Sequence, residues 1–124
     1  MSWGQEILRA FFLAFGMMHI LTNGSYLLRE GGLETARKQH GELPKNLDNR
    51  KIKIKVMAML ITGILFFGSA LISYLFHDYM RNLFVISASL FAVYAIIEAL
   101  YYKYWKTYGF AFVSVVLLIA CIMV

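Results

Sequence analysis

The sequence predicts an all-α integral membrane protein, a four-transmembrane-helix bundle with both termini outside and a large cytoplasmic loop between helices 1 and 2. Three observations lead to this prediction. Hydrophobic residues make up 60% of the 124 residues and the mean hydropathy is +0.65, which is too apolar for a soluble domain of this size. The apolar residues fall into four windows. Eight of the twelve lysines and arginines lie in one stretch, residues 29–55.

The four windows form a single membrane domain and cover residues 7–28, 56–76, 82–102 and 108–124. At about 1.5 Å per residue, the first three windows reach the ~30 Å of a hydrocarbon core, and the fourth is at the short end of that range. Backbone groups inside a bilayer have no water to bond, so each window is predicted to be a helix.

The distribution of charge predicts the orientation of these spans. Ten lysines and arginines lie in the loop 29–55 and in the connection between spans three and four, whereas the opposite side carries only Arg9 and Arg81. By the positive-inside rule, the loop faces the cytoplasm, and both termini and the turn 77–81 face outward. We therefore expect a multi-pass protein of the cell membrane, here a bacterial plasma membrane.

The cytoplasmic loop 29–55 contains local helix signals. The segment from Leu33 to His40 is predicted to form about two helical turns, with His40 in solvent. Asn46 or Asp48 can cap the helix that enters the second span. The lysines beside that span are expected to extend to lipid headgroups, although topology alone also places cations here. The cations expected to contact anionic lipid headgroups or acidic groups of a partner are Arg50, Lys51, Lys53 and Lys55.

Two of the spans carry stripes of residues at helical spacing, which share one helix face. The stripe of the first span consists of Phe12, Gly16, His19, Asn23 and Tyr26. The third span carries two stripes, a seam of alanines at 88, 92, 95 and 99 and a mixed seam of Ser87, Phe91, Tyr94 and Glu98. Small residues let membrane helices approach closely, so the third span is expected to touch two neighbours and to lie at the centre of the bundle.

Glu98 is the only acidic residue within a span, where a carboxylate is costly unless it is paired, protonated or hydrated. We expect it to form an intramembrane polar cluster with His19, Asn23 and Tyr94, with Asn23 as its nearest partner from the first span. Two interpretations are open. The cluster is an interhelical polar clamp, in which Glu98 can also reach Lys103, or it is a site that binds a substrate or a proton.

Several classes of site are not predicted. One cysteine, Cys121, cannot form an internal disulfide or a CxxC site. His77, Asp78 and Cys121 lack the spacing of a metal site, so neither metal ligands nor another cofactor are predicted. No nucleophile accompanies Glu98, so no catalytic residue is predicted. Nucleic acid is not an expected partner, because no basic face carries interleaved aromatic residues.

One short motif resembles part of a known enzyme family. The segment 37–40 (Arg-Lys-Gln-His), followed by Glu42 and Pro44, resembles the Arg-x-His-x-Asn region, leading to a Glu and a Pro, of the MAPEG membrane glutathione enzymes. The layout of four spans with a large cytoplasmic first loop is also similar. The motif's Asn and the family's arginine in the third span are missing here. The resemblance implies a membrane enzyme acting on a lipid-like or glutathione-like substrate at the cytoplasmic face.

The expected function is that of a small non-enzymatic accessory, regulatory or immunity-type subunit. It would act through contacts with the bilayer and with another membrane protein or copies of itself, because so short a chain encloses little pocket. The alternative is a small oligomeric transporter or channel with Glu98, His19 and Asn23 along a polar path. If the protein is a transporter or an enzyme, we expect a hydrated cavity around Glu98. If it is an accessory protein, we expect packing or hydrogen bonds to seal the Glu98 carboxylate.

Overall fold

A computed structural model of the protein describes all residues 1–124 and contains five helices and no strands. The helices are α1 (Trp3–Leu28), α2 (Gly32–Gln39), α3 (Asn49–Phe76), α4 (Arg81–Tyr102) and α5 (Trp105–Met123). Four of them, all except the short α2, are long and apolar enough to cross a membrane. The predicted all-helical class and the number of candidate spans are therefore confirmed.

Helix α3 begins at Asn49, before the apolar window that starts at residue 56, as expected for a helix that enters the second span from a cap at Asn46 or Asp48. The Asp48 side chain caps it and accepts a hydrogen bond of 3.0 Å from the backbone nitrogen of Lys51. Asp48 rather than Asn46 is therefore the cap. The two helical turns predicted for Leu33 to His40 are confirmed as α2.

Helix α3 is the centre of the bundle. It contacts α1, α2 and α4, whereas α5 packs mainly on α4. The prediction that the third span, α4, is central is wrong, although α4 does touch two neighbours as expected. The reason is that α1 approaches α3 very closely, so that α3 contacts α1 as well as α4.

This close approach occurs at two glycines. A Cβ added to Gly16 would lie 2.5 Å from the backbone nitrogen of Phe67 and 2.7 Å from the carbonyl oxygen of Gly63. A Cβ added to Gly63 would in turn lie 2.9 Å from the carbonyl oxygen of Gly16. Only glycine permits such backbone contact, which gives membrane helices extensive van der Waals packing. The whole predicted stripe of α1 is buried.

The two seams of α4 face different helices. The alanine seam is buried, and Ala95 and Ala99 pack with Ala111 of α5. In the mixed seam, the Ser87 hydroxyl oxygen lies 2.8 Å from the Ser69 hydroxyl oxygen of α3. Both seams are therefore confirmed as contact surfaces.

The middle of the bundle is filled by an aromatic layer, which we define as Phe12, Phe15, Phe66, Phe84 and Phe91. The rings of Phe12 and Phe66 stack with their centroids 4.2 Å apart, and Phe84 packs on Phe12 at 4.6 Å.

On one side of the aromatic layer lies the termini end of the bundle. There the Gln5 side-chain amide donates a hydrogen bond of 3.0 Å to the carbonyl oxygen of Val124, so the two termini meet. The Tyr79 hydroxyl, from the turn between α3 and α4, donates to the carbonyl oxygen of Cys121. The opposite side is the loop end, which holds α2, the loop 40–48 and the connection between α4 and α5.

Candidate functional site: a buried ionic network at the loop end

Lys55 lies at the centre of the candidate site. Its side chain is only 1% exposed, and its Nζ lies 3.0 Å from both carboxylate oxygens of Glu98 and 3.0 Å from Oε1 of Glu42. One ammonium therefore lies between a carboxylate of α4 and one of the loop. The prediction that Lys55 contacts lipid headgroups is wrong, because this residue lies on the inward face of α3, where Glu42 and Glu98 bind it.

Glu98 is almost fully buried, although it also lines a groove that opens between α3 and α4. Its side chain is 2% exposed, and the Tyr94 hydroxyl donates a further hydrogen bond of 3.1 Å to its Oε1. The prediction that Glu98 faces protein is confirmed, but the predicted partner Asn23 is wrong. Helix α3, rather than α1, packs beside this part of α4, so the partner is Lys55.

Asn23 instead organises two histidines. Its Nδ2 donates hydrogen bonds to the Nδ1 of His19 at 3.0 Å and to the His19 carbonyl oxygen at 3.1 Å. Its Oδ1 accepts a hydrogen bond of 2.8 Å from Nε2 of His40. His40 is buried, so the prediction that it lies in solvent is wrong. The loop 40–48 folds back onto the bundle, where Leu43 joins a hydrophobic cluster that includes Tyr26 and Ile52.

A contact between His40 and Glu42 connects the group around Asn23 with the group around Lys55. Nδ1 of His40 lies 3.7 Å from Oε1 of Glu42, which also binds Lys55. We call the connected set the buried network, and its members from α1 to α4 are His19, Asn23, His40, Glu42, Lys55, Glu98 and Tyr94. The four predicted cluster residues thus belong to one network, but three loop and α3 residues connect them. A binding role for His19, Asn23, Tyr94 and Glu98 stays a prediction.

Glu42 is held in its charged form. Burial alone raises the pKa of this carboxyl, but the neighbouring His40 and Lys55 side chains outweigh that effect and lower the pKa from 4.5 to about 2. Glu42 is therefore anionic at neutral pH, as its ion pair with Lys55 requires. Phe110 of α5 closes the network from another side, with Nζ of Lys55 3.9 Å from its ring centroid.

Hydrogen bonds also hold the segment that precedes Glu42 and the loop that follows it. The Arg37 guanidinium donates to the carbonyl oxygen of Leu47 and, at 2.9 Å, to Oδ1 of Asn49. The Tyr26 hydroxyl donates to the side-chain oxygen of Gln39. Arg9 Nε, far away in α1, is the only buried side-chain nitrogen or oxygen without a partner. The polar groups of the network are therefore satisfied within the chain.

The remaining predicted lipid contacts lie outside the network. Arg50 and Lys53 are exposed and Lys51 is half-buried, and their contact with headgroups stays a prediction. The helical spacing of Lys55 could have distinguished it, in the sequence, from these three cations. It follows Ile52 by three residues and precedes Met59 by four, and both of these are buried. No comparable signal marks His40.

No protein-family model, no curated protein and no solved structure matches this chain.

Proposed function

We propose that this protein is a non-enzymatic accessory, regulatory or immunity-type subunit of the cell membrane, acting through helix and lipid contacts. Its partner would be another membrane protein or further copies of the chain. The observation that carries the proposal is the closed state of the buried network, in which Glu98 is 2% exposed and bound by Lys55. A fully satisfied polar network stabilises a particular helix arrangement and leaves no free group for chemistry.

The aromatic layer supports this proposal over the transporter alternative. A polar path from Glu98, His19 and Asn23 to the termini end would have to continue through the middle of the bundle. There the rings of Phe12 and Phe66 stack with their centroids 4.2 Å apart. The interior of one chain is therefore filled with rings where a transport path needs polar or hydrated surface.

The internal contacts of the motif at 37–44 weigh against the enzyme alternative. Arg37 binds Leu47 and Asn49, His40 binds Asn23, and Glu42 binds Lys55. Three of the four side chains that carry the resemblance to the glutathione enzymes, all except that of Pro44, are engaged with the chain itself. They favour a role in fastening the loop to the bundle.

The contacts with partners would lie on the outer surface of the bundle. Helix α5 is the least buried of the four candidate spans, since 17% of its most apolar window is buried, against 44% for α3 and α4. Its exposed side includes Phe112 and Val116. Such a face suits packing against lipid or another membrane helix.

The proposed orientation places the loop end in the cytoplasm and the termini end outside, in line with the distribution of positive charge. Single cysteines at Lys45 and Asp78, both exposed positions at opposite ends, test it in a Cys121→Ser background. We expect a membrane-impermeant maleimide to label Asp78→Cys in intact cells, and Lys45→Cys only after permeabilisation. Equal labelling of both in intact cells would contradict the orientation.

Substitutions of Glu98 test the proposed function. Glu98→Gln should fold normally and keep its co-purifying partner, because the amide oxygen can still accept from Lys55. Glu98→Leu should lower the free energy of unfolding by about 1–2 kcal/mol, since Glu42 remains to pair Lys55. Folding is measured by denaturation in mixed micelles, and partners by mild purification from the native membrane.

Proton flux into liposomes containing the purified protein separates the alternatives. The accessory proposal expects no flux above that of empty liposomes. A flux that the wild-type protein supports, and that a well-folded Glu98→Gln variant loses, would overturn the proposal in favour of the transporter.

A further inference from the structure

A groove of about 500 Å³ lies between the start of α3 and the end of α4, on the outer side of the buried network. Ile54 and Ile97 form its apolar walls with Tyr101, and Glu98 lies at its base. Asp48, Arg50 and Lys51 also line it, at the capped first turn of α3.

The charges of the groove are not equally available to a ligand. Glu98 is bound by Lys55, and Asp48 caps α3 through the backbone nitrogen of Lys51. The side chains of Arg50 and Lys51 make no ion pair or hydrogen bond, and Nζ of Lys51 lies 5.5 Å from the centroid of the Tyr101 ring. The positive end of the α3 dipole lies at the same place. The groove therefore presents free positive charge beside apolar walls.

We propose that this groove is a binding site for one anionic phospholipid. The headgroup phosphate contacts Arg50, Lys51 and the first turn of α3, and an acyl chain lies along Ile54 and Ile97. This inference deepens the proposed function, and it rests on the proposed contact between the loop end and the bilayer.

The apolar walls favour a lipid over a soluble anion. Ile54 is 54% exposed and Ile97 is 60% exposed, and both lie on helices long enough to cross a membrane. A soluble anion would use the cations and leave these walls uncovered, whereas a phospholipid covers both. Each surface cation attracts an anionic lipid by about 1 kcal/mol, so two neighbouring cations suffice for a preference.

The position of the groove also gives the lipid a structural consequence. Helices α3 and α4 touch each other less extensively than α1 touches α3 or α4 touches α5. A lipid between Ile54 and Ile97 would bridge the two helices on the outer side of the Lys55–Glu98 pair. The bound lipid is therefore expected to stabilise the packing of α4 on α3.

The test measures lipid binding to the full-length protein in mild detergent by native mass spectrometry and by the shift in unfolding temperature. Phosphatidylglycerol is compared with phosphatidylcholine of the same acyl chains, and with inorganic phosphate. We expect phosphatidylglycerol to bind and raise the unfolding temperature, with little effect of the other two. The double substitution Arg50→Gln with Lys51→Gln should weaken phosphatidylglycerol binding about thirtyfold.

Two further variants make the result specific. Lys103→Gln with Lys106→Gln removes the same charge at the same end but outside the groove, and should bind phosphatidylglycerol like the wild type. Ile97→Trp keeps every charge and fills the groove, and should also weaken binding.

Three results would contradict the proposal, and each of them contradicts a different part of it. Wild-type binding that does not distinguish phosphatidylglycerol from phosphatidylcholine overturns the anionic-lipid site, whereas the proposed function fails separately, through the flux measurement on the Glu98→Gln variant. A preference that survives both groove variants overturns the groove alone. Full competition by inorganic phosphate overturns the lipid in favour of a soluble anion.

Discussion

Lys55→Met is expected to lower the free energy of unfolding by about 3–5 kcal/mol, the usual effect of removing one partner from a buried ion pair. Its ammonium lies 3.0 Å from both Glu42 and Glu98, so the substitution leaves the buried Glu98 and the half-buried Glu42 near each other without a cation. Methionine preserves the length and volume of the side chain. The measurement is denaturation of the purified protein in mixed micelles, followed by helicity.

Lys53→Met is the matched control, because Lys53 is exposed on the same helix and carries the same charge. It should change the free energy of unfolding by less than about 0.5 kcal/mol. Adding Glu42→Gln and Glu98→Gln to Lys55→Met should restore much of the lost stability, since no buried charge is then left unpaired. If Lys55→Met were as stable as Lys53→Met, the ammonium would not be buried between the carboxylates.

Gly16→Ala is expected to destabilise the bundle by about 1–3 kcal/mol, the range for adding a methyl group where no space exists. The new Cβ would lie 2.5 Å from the backbone nitrogen of Phe67, and backbone atoms cannot move aside as a flexible side chain can. Helix α1 must then move away from α3, which also separates His19 and Asn23 from the loop. The free energy of unfolding and disulfide cross-linking between α1 and α3 measure these effects.

Gly68→Ala, at the position that follows Phe67 on α3, is the control for this prediction. A Cβ at Gly68 would meet no heavy atom within 4 Å. Because alanine favours a helix over glycine, this variant should be stabilised by up to about 1 kcal/mol. Equal effects of Gly16→Ala and Gly68→Ala would show that α1 and α3 do not touch backbone to backbone.

The helical architecture could be predicted because its signals are local. Hydrophobic windows of span length and the helical spacing of the α1 stripe and the α4 seams depend only on neighbours in the sequence. The structure buries the stripe from Phe12 to Tyr26, the alanine seam of α4 and, in its mixed seam, every residue except the half-buried Tyr94. The presence of Glu98 in a span also predicted that it would face protein, since a carboxylate facing lipid is costly.

The partners within the buried network could not be predicted in the same way. Lys55 and Glu98 are 43 residues apart, and His40 and Asn23 are 17 residues apart. Their hydrogen bonds depend on which helices are neighbours and on how the loop 40–48 folds back. For this reason Lys55 was expected at the headgroups and His40 in solvent, and both expectations were wrong.

The sequence by itself determined that the chain is helical, that four of its helices can cross a membrane, and which faces of α1 and α4 are buried. These properties follow from hydrophobicity and helical periodicity, which each segment carries alone. Only the tertiary structure decided that α3 is central and that Lys55 joins Glu42 to Glu98. The physical reason is that a buried charge requires an opposite charge beside it, and for Lys55 these charges come from α4 and from the loop 40–48, both distant in the sequence.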